Sequence, residues 1–138
     1  MWDLFSVEFR FLEFSNSYSK HLFRENISSA FRELREEREF TDVTLASEDG
    51  KQIEAHKVVL ASSSPFFMNL LKKNKHPHPL LYMRGLKLEN LVAILDFLYH
   101  SEANVLQENL ETFLALAAEF RVKGLSRGTD DEKAIISH

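Results

Sequence analysis

The stretch AHKVVLASSSPFF, residues 55–67, holds the residue types of a serine nucleophile and a histidine base. His56 opens it, and Ser62, Ser63 and Ser64 follow. A serine hydrolase places its serine on a strained turn, often within G-x-S-x-G, and orients its histidine with a third group. No glycine flanks these serines and no orienting acid is apparent. The pattern therefore predicts a structural joint between two helices, and we expect no catalytic residue here.

Three histidines raise the question of a metal site. His56 precedes an apolar helix, whereas His76 and His78 lie in the segment HPHP. The chain has no cysteine, which excludes disulfides and thiolate zinc sites. The histidine spacing matches no strong zinc pattern, and the four glycines form no phosphate-binding loop. We predict that the chain has no metal site and no cofactor.

Composition limits the class of protein. The chain has 138 residues, of which 44% are apolar and 28% are charged, as in a single globular domain. Its net charge of −4 argues against direct binding of nucleic acid, which usually requires a basic surface. No apolar run approaches the roughly 20 residues of a membrane helix. We therefore expect a cytosolic or nuclear protein without a membrane partner.

A basic patch stands out against this acidic balance. It comprises Lys72, Lys73, Lys75, Arg84 and Lys87. Such a patch could bind an acidic peptide, but a solvated rim is the simpler interpretation.

The leading segment, residues 1–24, is rich in phenylalanine. Val7, Phe9 and Phe11 alternate with charged residues, and this period of two predicts a half-buried strand. The polar sequence SNSYS at 15–19 then predicts a loop.

The first helix is expected to begin after Asn26, which would serve as its N-cap, and to cover residues 27–38. Its apolar residues recur at helical spacing and form one face. They are Ile27, Ala30, Phe31 and Leu34.

A hairpin is predicted over 40–55, because Asp49-Gly50 supplies the turn between two alternating apolar runs. After it, Ser64 is expected to cap a helix that starts at Pro65. The remaining chain predicts four further elements. They are a short strand at 80–83, a helix at 86–100, an extended segment at 102–105 and a helix over 108–124 that stops at Gly124.

In this order, the motifs resemble a BTB/POZ domain over about residues 26–126. The closest likeness is in FTDVTLASEDGKQIEAHKVVLASSSPFFMNLL, and HPLLYMRG, DFLYHSEANV and FLALAAEFRVKGL follow in sequence. HPLLYMRG and AFRELRE resemble the tramtrack-type subgroup of arthropod transcription regulators, which includes longitudinals-lacking-like proteins. The resemblance implies an α+β fold, in which a cluster of five to six helices is flanked by a small sheet of short strands.

The resemblance also implies the organisation and role of the chain. We expect a divergent segment at 1–24, a BTB/POZ domain at 25–126 and a disordered polar tail at 127–138. The function implied is that of a protein-interaction and homo-oligomerisation module of a nuclear transcription regulator, and not of an enzyme. Its partners would be itself or related BTB proteins, with possible co-regulators. We expect no DNA-binding module in this chain.

Two sets of site residues follow from the resemblance. The helical face formed by Ile27, Ala30, Phe31 and Leu34 would be the dimer interface. Asp42 and Lys57 match the charged pair at the dimer groove of POZ transcription factors. The alternative is that Asp42 only begins a strand and that Lys57 is a solvated helix residue.

One departure and one alternative function remain open. The subgroup usually has a strand resembling L-R-W-N that pairs with the partner subunit, whereas this chain has SKHLFREN there; VEFRFLEF could replace that strand.

Other BTB domains are substrate adaptors for cullin ubiquitin ligases and commonly carry a hydrophobic-x-Glu element after the third helix. The corresponding segment, KKNKHPHPLLYM, contains no glutamate, which counts against this alternative.

Overall fold

The computed structural model describes residues 4–9, 18–124 and 134–137, with side chains over 25–124. These residues form five helices and six short strands. The helices are α1 (Tyr18–Glu37), α2 (Lys57–Ser63), α3 (Pro65–Lys73), α4 (Leu88–His100) and α5 (Gln107–Glu119). The strands are β1 (Leu4–Phe9), β2 (Val43–Ala46), β3 (Gln52–Ala55), β4 (Leu80–Tyr82), β5 (Glu102–Leu106) and β6 (Ala134–Ser137).

Helix α4 lies at the centre of the core. Its sequence, LENLVAILDFLYH, is apolar around most of its circumference, as expected of a helix with neighbours on several sides. Leu91, Ile94 and Leu95 are fully buried. The helix contacts α1, α2, α5 and the strands β1 and β5. These five elements are therefore positioned by their packing against α4.

Helix α1 begins earlier than the sequence predicts. It starts at Tyr18, so Tyr18 and Ser19 of the expected loop are helical, and Asn26 lies inside the helix instead of capping it. These two predictions are wrong. The physical reason is that no Gly or Pro interrupts residues 18–37, and extending an existing helix costs much less than starting a new one. The expected domain boundary between residues 24 and 25 thus falls within α1.

The predicted hairpin is formed by β2 and β3, which pair antiparallel from Val43↔Ala55 to Ala46↔Gln52. Gly50 has a φ of 87°, the left-handed conformation that favours glycine, and its N–H donates to the carbonyl of Ser47. The expected strand at 80–83 is β4, which pairs parallel to β2 on the other side. The sheet order is β3-β2-β4, so β4 is an edge strand.

A second sheet has the order β5-β1-β6, with both pairs antiparallel. Leu4 lies opposite Leu106, and Phe9 lies opposite Ala134. Strand β6 falls within the segment 127–138 that was expected to be disordered. The difference has a simple reason, since AIIS contains two adjacent β-branched residues and β1 offers an edge for them to pair with.

The joint between α2 and α3 matches its prediction. Ser64 is the N-cap of α3; its Oγ accepts from the N–H of Phe67 at 3.2 Å and donates to the carbonyl of Phe120 at 2.7 Å. One buried hydroxyl therefore caps a helix and binds the end of α5. Helix α5 itself ends at Glu119 and not at Gly124, so the predicted stop is wrong. Arg121 adopts the left-handed conformation, with a φ of 54°.

Candidate interaction surface

An apolar groove lies between helices α1 and α2 and is here called the α1–α2 groove. Val58 on α2 is 59% exposed and Ile27 on α1 is 43% exposed, high values for aliphatic side chains. The groove has a volume of about 360 Å³. It is lined by Ile27, Ser28, Phe31, Val58, Val59, Ser62, Ser63, Leu98 and Tyr99.

The four residues predicted on the α1 face have different positions. Ile27 and Ala30 are exposed, whereas Phe31 and Leu34 are half-buried. Phe31 packs against the core, and its ring meets the His56 ring in a T-shaped contact with centroids 5.4 Å apart. Phe31 thus attaches α1 to its own chain, and Ile27 is the member of this face that contributes most to the open groove.

Val58 is an interaction candidate that the sequence reasoning did not single out. It lies in the run Val58-Val59-Leu60, of which Val59 and Leu60 are buried. Successive residues of a helix point about 100° apart, so three adjacent apolar residues on a short helix cannot all face one core. That run was the signal in the sequence that could have identified an outward-facing residue on α2.

Asp42 and Lys57 meet through the backbone and not through their charges. An Asp42 carboxylate oxygen accepts from the N–H of Lys57 at 2.8 Å. The Lys57 ammonium group donates to the carbonyl of His76 at 3.0 Å. Because His56, the N-cap residue of α2, makes no side-chain capping bond, Asp42 supplies the acceptor for the first turn of this helix.

His56 is a buried structural residue at the start of α2, with 2% of its surface exposed. Its Nε2 lies 2.8 Å from the carbonyl of Glu39, which can only accept, so Nε2 carries the proton. The Tyr99 hydroxyl oxygen accepts from the His56 backbone N–H at 2.8 Å and lies 2.7 Å from His56 Nδ1. Because Nε2 carries the ring proton, Nδ1 is an acceptor, and the Tyr99 hydroxyl donates its own proton to Nδ1. The geometry therefore supports the structural interpretation of His56.

Beside this network, Arg35 connects α1 to α4. Its guanidinium is 2.9 Å from a carboxylate oxygen of Asp96 and lies over the Tyr99 ring, 4.9 Å from the centroid. Burial raises the pKa of Tyr99 to about 12. Burial and the charge of Arg35 lower the pKa of His100. These contacts fix the position of α1, and with it one wall of the α1–α2 groove.

The three histidines considered as metal ligands do not converge. His56 is in the buried network, whereas the backbone N–H of His78 donates to Nδ1 of His76 at 2.9 Å in the exposed loop before β4. Within residues 4–9, 18–124 and 134–137, no group of three His, Asp or Glu side chains could hold a metal ion. In the same part of the chain, no helix is long and apolar enough to span a membrane.

Comparison with known proteins identifies the family. The BTB/POZ domain family matches residues 31–133. Among curated relatives from Drosophila melanogaster, longitudinals lacking protein-like is 46% identical over 104 residues, covering 75% of this chain and 81% of that protein. Broad-complex core protein is 43% identical, and the match covers 76% of this chain but 14% of that protein. The tramtrack alpha isoform is 39% identical, and the match covers 78% of this chain but 13% of that protein.

A solved structure agrees on the fold. The BTB domain of zebrafish PATZ1 matches with a TM-score of 0.67 at 24% sequence identity, covering 82% of this chain and 91% of that one. The predicted α+β fold and the predicted tramtrack-type resemblance are therefore confirmed. The chain belongs to the BTB/POZ domain family, a family of protein-interaction modules.

Proposed function

We propose that this chain is the homo-oligomerisation module of a nuclear transcription regulator. The observation that carries the proposal is the exposed apolar α1–α2 groove, where Val58 is 59% exposed. A monomer leaves few such side chains next to a groove unless another surface covers them. A second copy of the chain would supply the same groove, related by a two-fold axis.

Self-association would be driven by burial of the apolar residues on both helices. Ile27 and Val58 would lie at the centre of the contact, because they are the most exposed aliphatic residues lining the groove. Ala30 would allow close approach of the two copies of α1. Phe31 and Leu34 would contribute less directly, because their side chains are half-buried in their own chain.

The charged residues would add specificity more than affinity. Asp42 and Lys57 lie where α2 begins. If the Lys57 ammonium group exchanged its His76 carbonyl for the partner's Asp42, the two contacts would be related by the same two-fold axis. Such pairs fix register while contributing little net free energy. Strand β1 pairs with β5 of the same chain and would extend the contact only by exchange, in which it pairs with the partner's β5 in place of its own.

The role in transcription and the nuclear location rest on the subgroup to which the curated relatives point. The net charge of −4 supports assembly, not DNA contact, as the task of this domain. Since the 138 residues contain no cysteine, they include no cysteine-based zinc finger. Related BTB proteins, and co-regulators that recognise the assembled groove, are the proposed partners. The family match supports a non-catalytic role.

The test is the mass of the chain in solution. We expect wild-type protein to be a dimer or larger, and Val58→Asp to be monomeric, because the carboxylate would be buried at the centre of the interface. Met68→Asp is the matched control, since Met68 is an exposed apolar residue on α3 that does not line the groove. Light scattering on a sizing column, at several protein concentrations, distinguishes these states.

An unchanged mass for Val58→Asp would place the interface elsewhere and contradict the proposal. Phe31→Asp is a poorer test, because Phe31 packs against the core and against His56. Loss of assembly in that variant could reflect unfolding of the single chain.

A further inference from the structure

The charges of this chain are strongly segregated along the sequence. Residues 55–88 contain six of the 17 Lys and Arg residues and none of the 21 Asp and Glu residues. This segment therefore carries a formal charge of +6, and the remainder of the chain carries −10. The segment forms α2, α3, β4 and their connections. A domain with an acidic balance thus has one basic region, which self-association through the α1–α2 groove leaves unexplained.

The basic region borders a second groove, here called the β4 groove. It lies between α3, β4 and the end of α5, and it has a volume of about 340 Å³. Its walls are apolar side chains from both helices, namely Phe66, Leu70, Leu116 and Phe120. It shares none of its lining residues with the α1–α2 groove.

One side of the β4 groove is the free edge of a strand. Pro79 and Met83 bond to β2, because the Pro79 carbonyl accepts from Thr44 and the Met83 N–H donates to Ala46. Backbone groups alternate in direction along a strand, so the N–H and C=O groups of Leu80 and Tyr82 point away from β2. Within the described residues, β4 pairs with β2 alone.

The side chains at this edge are large and exposed. Leu80 is 53% exposed and Tyr82 is 57% exposed. Edge strands of soluble domains are usually protected by charges, by bulges or by a covering element. Here two apolar side chains flank unpaired backbone groups beside an apolar groove, which is the arrangement that receives an added strand.

We propose that the β4 groove binds an extended, acidic peptide segment of a partner protein, which adds as a strand to the free edge of β4. The backbone of the peptide bonds to Leu80 and Tyr82. Apolar side chains on one face of the peptide enter the groove, and acidic side chains on the other face meet the basic region. Arg84 lines the groove, and Lys73 continues the helical face of Phe66 and Leu70 toward its rim.

Charge complementarity selects this occupant over a nucleic acid. A nucleic-acid backbone would match the positive charge of the basic region but not the apolar walls of the groove. A peptide that alternates acidic and apolar residues matches the charge, the walls and the strand edge together. In this proposal, Arg84 is the member of the basic patch that meets the acidic side chains within the groove, and Lys73 meets them at its rim.

The experiment is a titration of the ¹⁵N-labelled 138-residue chain, followed by NMR chemical shifts. The probe is the end-blocked octapeptide (Glu-Val)₄, and the control is (Lys-Val)₄. We expect (Glu-Val)₄ to shift the amide signals of residues 80–84 and of the α3 face, with weaker binding at higher salt. Tyr82→Ala and Arg84→Glu should each weaken binding by roughly tenfold. Met68→Ala, on the opposite side of α3, should bind as the wild type does.

Four results would overturn the proposal. One is the absence of shifts at β4 with (Glu-Val)₄ at about 1 mM, a concentration that detects weak binding. A second is an equal response to (Lys-Val)₄. A third is tighter binding of a 12-base-pair DNA duplex at the same residues, which would assign a polyanion site. The fourth is a shift at 80–84 that depends on protein concentration without peptide, which would assign the edge to a second copy. The mass of each variant in solution is measured alongside the titration. It reports self-association through the α1–α2 groove separately from peptide binding at β4.

Discussion

Replacement of Tyr99 by phenylalanine tests the buried network behind the α1–α2 groove. The substitution removes one oxygen atom and keeps the ring under Arg35. That oxygen accepts from the His56 backbone N–H at 2.8 Å and lies 2.7 Å from His56 Nδ1. Both groups of His56 are buried, since the residue is 2% exposed and Tyr99 is 4% exposed. Without the hydroxyl, a donor and an acceptor lose their partner in a place that water does not reach.

The expected cost follows from these two groups. A buried polar group left without a hydrogen bond costs about 1–3 kcal/mol. The donor and the acceptor of His56 are close neighbours and share one partner, so their costs will not add fully. We expect Tyr99→Phe to lower the free energy of unfolding by about 2–4 kcal/mol. Tyr82→Phe is the control, because Tyr82 is 57% exposed, and it should change stability by less than about 0.5 kcal/mol.

The network also predicts how stability depends on pH. Burial raises the pKa of Tyr99 to about 12, against 10.0 for an ordinary phenol. The folded chain therefore holds this proton more tightly than the unfolded chain does. The resulting stabilisation is complete below pH 10.0 and is lost as pH rises toward about 12. Tyr99→Phe should lose this alkaline dependence, and Tyr82→Phe should keep it.

Urea unfolding of the wild type and both variants, at one fixed protein concentration, measures the difference. Ultraviolet absorbance of the phenolate in the folded state follows the titration of Tyr99. If Tyr99→Phe unfolds at the same urea concentration as Tyr82→Phe, the hydroxyl does not satisfy His56, and the tautomer assigned above is wrong.

Three further predictions test individual contacts. Ser64→Ala should lower the unfolding free energy by about 1–3 kcal/mol in urea, because one buried hydroxyl makes two bonds, whereas the exposed Ser62→Ala should be nearly neutral. Gly50→Ala should cost about 1–2 kcal/mol in the same assay, because its φ of 87° is strained for any side chain although nothing lies within 4 Å; an unchanged midpoint would refute that conformation. Burial and the charge of Arg35 lower the pKa of His100 below 6.5, so the unfolded state binds this proton more readily than the folded state does. Stability should therefore fall as pH drops below 6.5. A pKa of His100 above 6.5, measured by NMR titration, would contradict the burial of its side chain.

Local signals predicted local structure well. The pair Ser64-Pro65 predicted the start of α3, and in the structure Ser64 is the N-cap of that helix. The pair Asp49-Gly50 predicted the hairpin turn, and Gly50 has the positive φ that such a turn needs. In both places, the chemistry of one or two residues decides the backbone conformation, so no knowledge of the rest of the chain was required.

Features decided by tertiary contacts were missed. The end of α5 lies at Glu119, because Arg121, and not a glycine, takes the left-handed conformation there, while Val122 and Phe120 are buried. Packing outweighs the small conformational preference of glycine at such a position. The exposure of Val58 was missed for a related reason. Which residue of an apolar run faces outward depends on where the neighbouring helices lie, and the sequence of α2 alone does not contain that information.

The position of β1 between β5 and β6 affects the order in which the domain can fold during synthesis. β1 is made first, yet its partners are β5, which ends at Leu106, and β6, which ends at Ser137. At about 5–20 residues per second, roughly ten seconds pass between the synthesis of β1 and that of β6. The helical cluster and the β2–β3 hairpin can form from nearby residues within that time, because local contacts require little loop closure. Among these elements, the sheet β5-β1-β6 is therefore completed last, and its pairing joins segments that lie far apart in the sequence.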